Sequence, residues 1–63
     1  MSYVIFDLDS GEITSITNIQ PKESINYIED DSPDVIDMLI GKETPKMFIV
    51  AYDEQVKEYK LNK

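Results

Sequence analysis

The chain has 63 residues, with 13 Asp+Glu against 6 Lys+Arg, and a formal charge of −7. All six basic residues are lysines, and His, Cys and Trp are absent. This length leaves room for one small domain, and the composition removes disulfides, cysteine or histidine zinc sites and histidine-based catalysis.

Hydrophobic residues make up 41% of the chain, and four tyrosines are among them, so the expectation is a folded core rather than disorder. That core is thin. A chain this short buries only about 60% of the surface it exposes when unfolded. With no staple available, either a marginal monomer or a partner-supported fold is expected.

Tyr3-Val4-Ile5-Phe6 is a β-branched and aromatic run that predicts a strand with apolar groups on both faces. Asp7-Leu8-Asp9-Ser10-Gly11 follows, and its Asp, Ser and Gly favour a tight turn with Gly11 at positive φ. Glu12 to Thr17 then predicts the return strand, exposed on one face. Asn18 to Ser24 is a polar connection punctuated by Pro21, and Ile25 to Glu29 predicts a short third strand at an edge.

Asp31-Ser32-Pro33-Asp34 predicts a helix start, with Ser32 as N-cap, Pro33 at the first helical position and Asp34 in the first turn. Val35, Met38 and Leu39 share one stripe, with Ile36 and Ile40 beside it and Asp34 and Asp37 facing away. Gly41 is placed to end this helix of about two turns, and Lys42 complements its C-terminus. After Pro45, the apolar run from Met47 to Tyr52 predicts a strand buried on both faces. Asp53 to Gln55 is a loop, and Val56 to Leu61 returns with alternating polarity.

The expected fold is therefore α+β. Two β-hairpins and an intervening strand, in the order β-β-β-α-β-β, form a small mixed or antiparallel sheet with one short helix on one face. The chain is a single domain, 1–63. Val4, Ile5 and Phe6, like Phe48, Ile49 and Val50, put bulky groups on both sides of the sheet, while one helix covers one side. The other side either curls into a partial barrel or meets another chain, and the small size favours the partner. Tyr3, Ile5, Phe48, Val50 and Tyr52 are the candidate apolar interface.

Catalytic chemistry finds little footing. Hydroxyl nucleophiles usually need an adjacent base, most often His. Paired carboxylates need a concave, water-excluding pocket that so small a chain hardly builds. Asp7-x-Asp9-x-Gly11 is a poor match to a calcium loop: the fifth, sixth and twelfth positions are Gly11, Glu12 and Asn18. No enzyme activity, cofactor or metal is expected.

Charge is uneven. Residues 1–41 carry nine acids and one lysine, and 42–63 carry four acids and five lysines. Glu29, Asp30, Asp31, Asp34 and Asp37 form a candidate acidic docking patch, against which stands the plainer reading of a solvated helix start. The acidic part disfavours direct binding of nucleic acid. Lys57 and Lys60 beside Tyr52 and Tyr59 read as an ordinary amphipathic strand, since Glu54 and Glu58 interleave with them. No segment approaches the roughly 20 apolar residues of a membrane span, and the opening lacks the basic lead-in of a signal peptide.

Tyr3-Val4-Ile5-Phe6-Asp7 with Ser10-Gly11-Glu12-Ile13 resembles short modules of tailed-bacteriophage proteins. Tyr27-Ile28-Glu29, the acidic helix start, Leu39-Ile40-Gly41-Lys42 and Tyr52-Asp53 extend the resemblance over most of the chain. It implies a non-enzymatic structural or interaction protein of the virion (capsid decoration, neck or tail), placed in the virion or the host cytoplasm and working through a protein partner or self-association. The charge supports an alternative, an acidic regulator or nucleic-acid mimic that occupies a basic site on a host enzyme.

Overall fold

A computed structural model describes residues 1–63. Two antiparallel sheets and one helix follow the order β1 (Tyr3–Phe6), β2 (Ile13–Thr17), β3 (Tyr27–Glu29), α1 (Pro33–Leu39), β4 (Ile49–Asp53) and β5 (Glu58–Asn62). The fold is α+β, as the residue pattern implies. The strands do not form one continuous ladder: β2-β1-β3 is a three-stranded sheet and β4-β5 a separate pair.

The first hairpin is tied by its own turn chemistry. The Asp7 carboxylate accepts the amides of Asp9 at 2.8 Å and Ser10 at 3.3 Å, and the Asp7 carbonyl accepts the Gly11 amide at 2.7 Å. Gly11 takes φ 77°, as a tight return requires. Register slips between Ile5 and Phe6, which pair with Ser15 and Ile13, so Thr14 is an extra residue. Its hydroxyl donates to the Ile5 carbonyl at 3.2 Å.

In α1, Ser32 holds the N-cap position with extended backbone and Pro33 opens the helix. The Ser32 side chain makes no cap bond; instead the Asp30 carboxylate accepts the Ser32 amide at 2.8 Å. Gly41 turns out of the helix at φ 85°, and the Asp37 carbonyl accepts the Lys42 amide at 2.8 Å. Val35 and Met38 are buried, whereas Leu39 is exposed, so the docked stripe is narrower than the apolar composition of α1.

Val4, Phe6, Val35, Met38, Phe48 and Val50 form one core, flanked by Ile13, Ile16, Ile28 and Leu61. Strand alternation explains the membership: Ile16 and Ile28 sit opposite Val4 on either side, Ile13 opposite Phe6, and Leu61 opposite Val50. The second hairpin folds over the same Val4–Phe6 face of β1 on which α1 docks, while Tyr3 and Ile5 lie on the other face. The two sheets meet through a bridge between Glu12 and Ile49 and a bond from the Val50 amide to the Gly11 carbonyl at 2.8 Å.

The expectation of a strand from Met47 to Tyr52 buried on both faces is corrected. Pro45–Met47 form a 3₁₀ turn, and in β4 only Val50 is buried, while Ile49, Ala51 and Tyr52 are exposed. A second hairpin used as a cover contributes one face to the core; its other face meets water, which isolated surface apolar groups tolerate.

Candidate interaction surface

The five residues expected to form an apolar interface do not share a surface. Phe48 and Val50 are 5% and 3% exposed and belong to the core. Tyr3, 6% exposed, lies on the opposite face of β1, where its ring meets Tyr27 edge-on at 5.7 Å and its hydroxyl points to Met1 Sδ. Burial, reinforced by Glu29, Tyr27 and Asp31, holds the Tyr3 phenol above the ordinary value. Ile5 is half-buried, and only Tyr52 is widely open to solvent. Three of the five are thus closed to a partner in the folded chain.

Exposed apolar side chains are scattered over the chain, among them Leu8, Ile19, Met47, Ile49 and Val56, and three of them cluster on α1 and its C-cap Ile40. Ile36, Leu39 and Ile40 are 46%, 40% and 62% exposed. Their i, i+3, i+4 spacing stacks them on one side of the helix, one position round from the buried Val35–Met38 pair. A helix of two turns therefore carries two apolar stripes and docks one. The composition showed both; only the packing shows which is left over.

The acidic run divides by role. The Asp31 carboxylate accepts the buried Ser2 amide at 2.6 Å, and the Ser2 carbonyl accepts the Asp30 amide at 3.0 Å. With the Asp30 bond to the Ser32 amide, two of the five acids are engaged in fastening the N-terminus to the helix start. Glu29 and Asp34 are exposed, and Asp37 is half-buried. No group of three or more acidic side chains is arranged to hold a metal ion.

Two shallow clefts mark the surface. One, of about 400 Å³, is lined by Glu12, Ile13, Pro45, Lys46 and Phe48. The other, of about 340 Å³, is lined by Tyr27, Ile28 and Glu29 from β3 and by Glu58 and Tyr59 from β5. Glu29 and Glu58 are both exposed. Aromatic packing leads into the second cleft: the Tyr59 ring lies 5.3 Å from Phe6 in a tilted contact and 5.1 Å from Tyr52, its cross-strand partner, edge-on. The Tyr52–Tyr59 pair and the Lys60–Asp53 ion pair at 3.9 Å agree with an amphipathic hairpin. No helix is long and apolar enough to cross a membrane.

No family model, curated protein or solved structure matches the chain.

Proposed function

We propose that this chain is a non-enzymatic structural or interaction protein acting through protein–protein contacts, and that it serves as a small component of a phage virion. The observation that carries the contact reading is the exposed Ile36–Leu39–Ile40 stripe of α1. Three large aliphatic groups on so short a helix gain by leaving water, at about 25 cal/mol per Å² of apolar surface covered. The virion assignment is supported by the likeness of the Tyr3–Ile13 hairpin and the helix segment to short phage modules.

The acidic regulator has weaker support. Asp30 and Asp31 hold backbone amides, which leaves Glu29, Asp34 and Asp37 as the acids free for a basic site.

The test is capture of the tagged chain and its Ile36→Ser/Ile40→Ser variant from a phage-infected lysate at low and high salt. Virion proteins that stay bound at high salt to the wild type and are lost from the variant are expected, because apolar contacts persist in salt. A basic enzyme that binds both forms and washes off with salt would instead make the acids the site.

A further inference from the structure

The two separate sheets adjoin at one point, the isolated bridge between Glu12 and Ile49. The bridge joins the start of β2 to the start of β4, with β3 and β5 on the far sides of the two sheets. β3 and β5 are thus edge strands, each with a ladder partner on one side only. Their outer backbone N–H and C=O groups have no strand to pair with. The cleft lined by Tyr27, Ile28, Glu29, Glu58 and Tyr59 lies between these two strands. It is an open seam between the sheets.

The chemistry of the seam narrows what fits there. Its lining is mixed, with an apolar floor made by Ile28, which packs on the core, and by Tyr59, whose ring is tilted against Phe6. Two carboxylates, Glu29 and Glu58, flank it, and none of its five lining residues is cationic. The nearest lysine of β5, Lys60, sits by Asp53, and Lys63 lies 5.6 Å from the Phe48 ring. Tyr27 and Tyr59 offer aromatic faces to an ammonium or guanidinium and to its aliphatic stem. A chain of net charge −7 also attracts cationic partners over a distance.

We propose that the seam between β3 and β5 takes an extended, lysine- or arginine-bearing segment of a protein partner, which adds a strand to the free sheet edge. Main-chain bonds to the edge supply binding, alternate side chains enter the apolar floor, and the basic residues pair with Glu29 and Glu58. The inference rests on the reading of the chain as a contact module and names a second surface and a partner chemistry for it.

The test is a ¹⁵N-amide titration of the full chain with three synthetic peptides. One alternates lysine and valine, one alternates glutamate and valine, and one is the lysine peptide with every second amide N-methylated. Shifts confined to the Tyr27–Glu29 and Glu58–Asn62 amides are expected with the first peptide alone. The exposed pair Glu29→Gln/Glu58→Gln should weaken that binding roughly three- to tenfold at low salt. Equal binding of the N-methylated peptide would overturn strand addition, and equal binding of the glutamate peptide would overturn the basic partner. Concentration-dependent shifts of the same amides without peptide would make the occupant a second copy. No shift at the seam with any peptide would overturn the site, while loss of captured proteins from the α1 variant would still stand, which separates this failure from that of the contact reading.

Discussion

Gly11 and Val50 meet backbone to backbone. The Val50 amide donates to the Gly11 carbonyl at 2.8 Å, and a Cβ built on Gly11 collides with the Val50 carbonyl oxygen and comes within 2.8 Å of Ile49 Cγ1. This is where the second hairpin crosses the first, and it sets how closely the cover sits on the core. Gly41 is also left-handed, at φ 85°, but a Cβ there meets nothing within 4 Å. Gly41→Ala therefore carries only the left-handed backbone cost, about 1–2 kcal/mol. Gly11→Ala adds the collision and should lose about 3 kcal/mol or more. Urea unfolding of both variants measures the difference; equal losses would refute the close crossing.

Phe48 links the second hairpin to the core from a position just before β4. Phe48→Ala should cost about 3–5 kcal/mol. A domain of this size holds roughly 3–9 kcal/mol in all. The variant is expected to show a strongly reduced or absent thermal transition by circular dichroism. Retention of the wild-type Tm would mean that the hairpin does not cover the sheet in solution.

The acidic run gives a third expectation. Asp31→Ala leaves the buried Ser2 amide without its acceptor and should destabilise by about 1–3 kcal/mol. Asp31→Asn keeps an acceptor oxygen and should recover most of that loss. Asp34→Asn removes an exposed acid from the first turn, with a cost of about 0.3–1 kcal/mol through the helix dipole. Chemical denaturation of the three variants orders them; an Asp31→Ala protein as stable as Asp34→Asn would remove the fastening role.

Alkaline titration tests the surroundings of Tyr3. Its phenol is pushed above the ordinary value near 10, by burial first and then by Glu29, Tyr27 and Asp31. Folding thus favours the protonated form. The contribution is fully present below the unfolded value and is lost as pH rises through 10 and past the folded value. Tyr3→Phe retains the ring against Tyr27 and removes the titrating group, so its stability should fall less steeply above pH 10. Parallel losses in the two proteins would place Tyr3 in water.

Local chemistry made much of the fold legible. The β-branched run from Tyr3, the Asp7–Gly11 turn, the Ser32-Pro33 helix start and the Gly41 stop each act over a few residues, and all four appear where the pattern puts them. The third strand is shorter than expected, at Tyr27–Glu29, and lies at an edge. The candidate interface was less legible. Tyr3, Phe48 and Val50 are apolar enough for a partner, but an apolar side chain reads alike whether its own chain or another covers it. The acids were equally ambiguous: the bond that gives Asp31 its role joins residues 29 positions apart.

The sequence by itself determined the element order, the first hairpin's turn, the helix ends and the lack of thiol and imidazole chemistry, because these depend on neighbouring residues and composition. The second turn is a correction: Val56 and Lys57, expected in the return strand, lie in the turn, with Lys57 at φ 59°, and β5 starts at Glu58. The tertiary structure alone decided that the second hairpin covers the first sheet, that α1 docks Val35 and Met38 while leaving Ile36, Leu39 and Ile40 in water, and that β3 and β5 are edge strands of two separate sheets. Those outcomes follow from which surfaces meet across the chain. Burial is non-directional, so the apolar pattern alone does not choose among them.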